Sequence, residues 1–177
     1  MAGKEPKAEQ AFEGYNMDGW AYSDAGKPAP WDEARKGLAA GDSYWLSTVR
    51  PDGRPHAVPV LAVWVDGALH FSAGPATRKA RNLTRDPHCV ITTSSLGIDF
   101  MVEGSATQIL DDAKLQEVAN AFATKYGWRP TARDGALQDI EGAPTAGSPP
   151  YNVYEVSPTV VFGLPAETAI TPTRWLF

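Results

Sequence analysis

The stretch from residue 43 to residue 73 leaves this chain few options. Apolar and polar residues alternate along it with a period of two, and turn signals interrupt the alternation at the spacing of a meander. Residues 43–50, SYWLSTVR, are rich in strand formers. Pro51-Asp52-Gly53 then supplies a turn, because proline presets φ and glycine allows φ > 0. Residues 54–65, RPHAVPVLAVWV, read as a second strand. Asp66-Gly67 is a two-residue hairpin signal, and residues 68–73, ALHFSA, form the third strand. Pro59 sits inside the second strand and cannot donate to a ladder, so it marks a bulge or an unpaired edge.

The remaining segments fit around this meander. Residues 31–40 predict a short helix, with Pro30 at its start, Asp32 and Glu33 in its first turn and Gly41 ending it. Residues 77–85 predict a second helix that stops at Asp86-Pro87. Residues 88–94 and 98–110 form a strand pair hinged near Gly97. Residues 111–126 are the clearest helix: two aspartates open it, Leu115, Val118, Ala119 and Phe122 make an apolar stripe, and Gly127 closes it. Residues 127–150, rich in Gly, Pro, Ala and Thr, predict a long irregular segment, either a binding loop or disorder. Residues 151–164 and 169–177 are the last two strands. The fold class is therefore mainly β (α+β): six or seven antiparallel strands with short peripheral helices, closed into a barrel because closure removes exposed edges. Residues 31–177 form one domain, and residues 1–30 precede it as a polar N-terminal arm. Phe12, Tyr15, Trp20 and Tyr22 set the arm apart from an ordinary disordered tail. They serve either to pack it on its own barrel or to cover a ligand site or a neighbouring subunit.

Charge and composition remove several function classes. A net charge of −5 argues against a general nucleic-acid binder. The single cysteine, Cys89, excludes an internal disulfide and reads as a small core residue, and no Cys/His spacing resembles a metal site. The N-terminus lacks the apolar core of a signal peptide, and no apolar run is long enough to span a membrane, so the expected location is the cytoplasm.

Against that acidic background, residues 78–85 carry four cations, Arg78, Lys79, Arg81 and Arg85, and no acid. They lie at the start of a helix, where free N–H groups and a partial positive charge attract anions. This arrangement suits a phosphate: Thr77 and the backbone grip it, Lys79 neutralises it, and Asn82 reaches it from one turn further on. A solvated basic helix face is the competing reading. Near Pro59 and Val60, an interrupted strand leaves backbone groups that could meet the rim of a planar heteroaromatic ring. An ordinary barrel edge is the alternative there.

Three stretches carry a family resemblance: Thr48 to Val60 (TVRPDGRPHAVPV), Lys79 to Pro87 (KARNLTRDP), and the ending Val161-Phe162-Gly163-Leu164-Pro165 with Thr173-Arg174-Trp175-Leu176-Phe177. Their order and spacing resemble the pyridoxamine-5′-phosphate-oxidase-like split β-barrels, and most closely the actinobacterial flavin/deazaflavin oxidoreductases that use coenzyme F420. The resemblance implies a homodimer with the cofactor, F420 or alternatively FMN, in a groove between subunits. It makes Thr77, Arg78 and Lys79 the phosphate loop, supported by Asn82 and flanked by Ser72 and Ala73. Pro59, Val60 and Leu61 line the ring, and Gly163, Leu164, Pro165 and Trp175 are contributed near the partner's site. Where the family usually has a second basic residue after this tryptophan, the chain has Leu176. It also lacks the arginine set of true pyridoxamine-phosphate oxidases, retaining only Arg174 before WLF.

The activity so implied is hydride transfer between the cofactor and a small conjugated organic substrate, with no catalytic nucleophile needed. Proton-donor candidates are His56, His70, Tyr126 and Tyr151, each of which is equally a barrel or loop residue with a satisfied polar tip. Arg35, Lys36, Arg50 and Arg54 could line a groove for the acidic tail of F420. Two other functions fit the same barrel: a non-catalytic flavin- or haem-binding protein, and a purely structural dimer.

Overall fold

In the computed structural model the described residues are 5–11, 27–139, 141–144, 147–165 and 171–177, so Phe12, Tyr15, Trp20 and Tyr22 lie outside them. The elements follow the order β1 (Lys7–Gln10), α1 (Trp31–Ala40), β2 (Tyr44–Val49), β3 (Pro55–Val60), β4 (Ala62–Val65), β5 (Ala68–Ala73), α2 (Arg78–Arg85), β6 (His88–Ser95), β7 (Ile98–Ile109), α3 (Asp112–Tyr126), β8 (Thr131–Arg133), β9 (Ala136–Gln138), β10 (Asn152–Pro165) and β11 (Thr173–Leu176). Local chemistry explains the boundaries. Asp111 caps α3 by accepting from Lys114 N–H at 2.8 Å. Gly127 ends that helix at φ 71°, a left-handed conformation that favours glycine. The tight β4–β5 turn places Asp66 and Gly67 at φ 48° and 86°, and the β6–β7 turn places Leu96 and Gly97 at 51° and 74°, both left-handed pairs that match the twist of a hairpin.

Nine strands share one antiparallel sheet, in the order β1-β11-β10-β7-β6-β2-β3, with β5 also on β10 and β4 on β5. This is a split barrel. The 14-residue β10 is its spine. Along one edge it pairs with β7 almost throughout, and along the other it pairs first with β5 and then with β11. The ring β5-β10-β7-β6-β2-β3 returns to β4 and β5 through the chain itself, at Leu61.

Two expectations need correction, and the arm adds a strand. The single strand over 54–65 is two: β3 pairs with β2, β4 pairs with β5, and the break falls at Leu61. A barrel wall must turn a corner to close, and this strand turns it by changing partners. The irregular segment 127–150 contains the β8–β9 hairpin, closed by Asp134-Gly135 at φ 56° and 73°. The arm over 1–30 supplies β1, which pairs with β11 in the main sheet. The split strand and β1 account for nine strands where seven were expected.

One apolar cluster fills the barrel, with Leu46, Phe71, Ile91, Phe100, Val161 and Trp175 among its members. Phe71 stacks on Tyr154 at 5.2 Å between centroids. A second cluster lies between α3, β4 and the β8–β9 hairpin, built on Leu115, Val118, Phe122, Trp128 and Tyr151. Cys89 is buried in the first cluster, and burial pushes its thiol up to about 12. No helix among the described residues is long and apolar enough to cross a membrane, and no described group of His, Cys, Asp and Glu could hold a metal ion.

Candidate functional site

Strand β5 ends in Ser72 and Ala73, both buried, and the chain then turns through Gly74 into α2. Thr77 makes that turn. Its backbone N–H donates to Gly74 O at 3.0 Å, its hydroxyl donates to the same oxygen at 2.7 Å, and the hydroxyl oxygen accepts from Ala80 N–H at 3.4 Å. The hydroxyl proton is therefore already used within the chain. Thr77 shapes the loop and caps the helix, while the N–H groups of Arg78 and Lys79 find no acceptor among the described residues.

Asn82 is buried and donates from Nδ2 to Thr48 Oγ1 at 2.9 Å. It ties α2 to β2 instead of facing outward. Arg85 does the same at the other end of the helix, donating from Nη2 to the carbonyls of Arg50 at 2.9 Å and Val49 at 3.2 Å. One of the four cations that singled out this helix is thus accounted for by structure.

The others are not. Among the described residues, Arg50, Arg78, Lys79 and Arg81 form no ion pair. Burial lowers the Lys79 ammonium below the usual lysine range, and no carboxylate opposes it. Thr48 and His56 face each other across the β2–β3 ladder, which brings His56 to the same place. Burial first, then the charges of Arg50, Arg78 and Lys79, depress its imidazole. Two nitrogens here are shut off from solvent with no hydrogen-bond partner: Arg50 Nε and His56 Nδ1. A buried polar atom normally has a partner. Four cationic or titratable side chains, two orphaned nitrogens and the free first turn of a helix make a positively charged cradle, whose chemistry would suit an anion.

Pro59, Val60 and Leu61 lie at the end of β3 and the corner after it. Among the described residues β3 is an edge strand, paired only with β2. Pro59 is exposed opposite Trp45, Val60 is buried opposite Tyr44, and Leu61 is half-buried against the second cluster. The outer edge of β3 therefore faces no further strand among the described residues.

Gly163, Leu164 and Pro165 occupy the far end of β10. Ala73, beside the turn into α2, pairs with Asn152 at its near end, roughly 35–43 Å of strand away. Trp175 is 1% exposed, and its indole N–H donates to Ala29 O at 3.0 Å. A Cβ on Gly163 would stand 2.9 Å from the Trp175 ring, so the glycine makes room for it. Within one chain, then, Ser72, Ala73, Thr77, Arg78, Lys79 and Asn82 come together, the β3 edge lies on the neighbouring hairpin, and the C-terminal residues do not join them.

The proton-donor candidates are placed differently from one another. His56 belongs to the cradle. His70 is fully buried, with its ring nitrogens 3.2 Å from Ala68 O and 3.1 Å from Glu155 Oε2. The Tyr126 hydroxyl bonds both N–H and C=O of Ala62, and that of Tyr151 bonds Ala143 N–H and Gly147 O. Sequence reasoning missed Arg50 and His56 as partners of α2. The signal was available: pairing the strands across the Pro51–Gly53 turn puts His56 against Thr48. A cavity of about 710 Å³ opens beside Trp128, Arg129, Arg133 and Asp139 and contains no residue of the cradle.

The comparisons agree with this architecture. Three solved structures share the fold. A conserved hypothetical protein of Mycobacterium tuberculosis superposes at TM-score 0.65 with 15% identity, covering 84% of this chain and 92% of that one. A pyridoxamine 5′-phosphate oxidase-related, FMN-binding protein of Nostoc punctiforme gives 0.55 with 21% identity over 85% and 91%. A 5-nitroimidazole antibiotic resistance protein of Bacteroides thetaiotaomicron, so described on a provisional basis, gives 0.57 with 16% identity over 82% and 84%. No curated protein sequence matches the chain. The pyridoxamine 5′-phosphate oxidase family model matches residues 30–164, which run from the start of α1 to the end of β10 and include the whole cradle. The chain belongs to the pyridoxamine 5′-phosphate oxidase family.

Proposed function

We propose that this chain is an oxidoreductase that holds a phosphorylated flavin or deazaflavin, its phosphate in the α2 cradle and its ring along the free edge of β3. The observation that carries this reading is the gathering of Arg50, Arg78 and Lys79 around His56, none of them in an ion pair and two buried nitrogens unpartnered among the described residues. When bound, the tricyclic ring supplies hydride chemistry, and the protein orients it and keeps water away. The substrate class proposed is a small conjugated organic molecule.

Coenzyme F420 is favoured by the resemblance of Thr48–Val60 and Lys79–Pro87 to deazaflavin oxidoreductases. FMN is favoured by the Nostoc neighbour, which is described as FMN-binding. Fluorescence titration of the purified protein with each, separately, tests the proposal. Tight binding of either supports the cradle and identifies the cofactor, and binding of neither overturns the reading.

The same proposal includes a homodimer. One row of cross-strand neighbours runs Pro59, Trp45, Thr92, Met101, Phe162 and Arg174 across β3, β2, β6, β7, β10 and β11. Trp45 is 50% exposed, and Met101 and Phe162 are half-buried. A row apolar at Pro59, Trp45, Met101 and Phe162, with no helix over it among the described residues, suits a second copy of the chain, which would also bring Gly163–Pro165 of one subunit toward the other's cradle. Trp45→Asp is expected to turn the dimer into a monomer in sedimentation experiments, because it places a charge at the centre of the face. A monomeric wild type would refute the dimer.

A further inference from the structure

We propose that Arg50 and His56 form the strand-borne half of the anion cradle, and that His56 takes up a proton when a phosphate-bearing cofactor binds. This rests on the cradle reading above and adds to it a residue role and a pH dependence.

The geometry is that of a two-sided clamp. From α2 come Arg78, Lys79 and the free N–H groups of the first turn. From the β2–β3 hairpin come Arg50 and His56, held against α2 by the Asn82–Thr48 bond and by Arg85 on the Arg50 carbonyl. The buried, unpartnered atoms Arg50 Nε and His56 Nδ1 both belong to the hairpin side. The nearest acid in the hairpin, Asp52 in the turn, is occupied by Arg54 at 2.6 Å. The charged groups that bear on His56 are Arg50 from the β2–β3 turn and Arg78 and Lys79 from α2, all positive.

In the free protein these cations and burial hold the imidazole below its ordinary value, so it is neutral near neutral pH. An anion among the same groups offsets the field of these cations and accepts from the ring, which favours the charged imidazole, and the ring gains a proton. By linkage, binding then strengthens as pH falls, by as much as tenfold per unit for one proton. A phosphate monoester has its second pKa at about 6. FMN is therefore already a dianion above that value, and the phosphodiester of F420 has no proton to titrate there, so with either ligand a proton taken up goes to the protein.

Calorimetric titration of the full chain with FMN, and in parallel with F420, at about pH 7.5 in two buffers of different ionisation heat, counts the protons exchanged. The expected result is net uptake in the wild type and its loss in His56→Gln. In the wild type, ring-proton NMR of the three histidines should show one titrating at higher pH once ligand is bound. His70→Gln and His88→Gln assign the other two signals, so the result does not depend on the His56 variant folding. Binding without uptake, or uptake that persists in His56→Gln, overturns this proposal and leaves the cofactor reading intact. Failure of both cofactors to bind removes both.

Discussion

Trp175→Ala is expected to cost about 3–5 kcal/mol of stability in cofactor-free protein and to lower Tm by roughly 6–20 °C. The indole is nearly inaccessible, packs against Trp31 at 5.8 Å between centroids, and fills the space that Gly163 leaves open. Its removal creates a cavity in the barrel and leaves Ala29 O without its donor. Trp175→Phe should keep most of the packing and lose mainly the N–H bond, so it should fall well short of the alanine cost. Thermal melts of the three proteins separate core packing from ligand contact. If both variants melt like the wild type but lose cofactor affinity, Trp175 is a binding residue and its packing is incidental.

Lys79→Ala is expected to have the opposite profile. Loss of a charged hydrogen bond to the phosphate should weaken FMN or F420 binding by about 1.5–3 kcal/mol, roughly ten- to a hundredfold. Folding should not suffer, because the half-buried ammonium has no carboxylate partner among the described residues and its desolvation opposes the folded state. Lys79→Glu should weaken binding further by adding repulsion. Riboflavin, which lacks the phosphate, should bind wild type and Lys79→Ala alike. Equal loss of riboflavin affinity would move Lys79 from the phosphate to the ring.

Local signals made much of the fold readable. Hairpins announced by Pro51-Asp52-Gly53 and Asp66-Gly67 are present, and α3 runs between its aspartate cap and Gly127. The failures share a cause. The break at Leu61 depends on β3 and β4 having different partners, which are far away in sequence. Strands β8 and β9 are three residues each, too short for alternation to register, although Asp134-Gly135 marked their turn. In the site, residue types suggested an anion at α2. They could not show that Thr77's proton is given to Gly74, that Asn82 is held by Thr48, or that Arg85 is occupied by two carbonyls. Those partners exist only once the hairpin and the helix have met. Its type makes His56 a proton-donor candidate, and the meeting of hairpin and helix adds Arg50, Arg78 and Lys79 as its charged neighbours.

The spine strand also has a consequence for how the protein is made. Strand β10 joins β7 on one edge with β5 and β11 on the other, and it comes late in the chain. During synthesis, β5 and β7 leave the ribosome well before their shared partner, each with an apolar strand edge open to pairing. Most of the pairing that closes the barrel spans long sequence separations, which places folding among the slower, millisecond-to-second topologies. A nascent chain paused before residue 152 therefore exposes sticky strand edges, and a rare-codon stall there, or truncation just upstream, should favour aggregation over native structure.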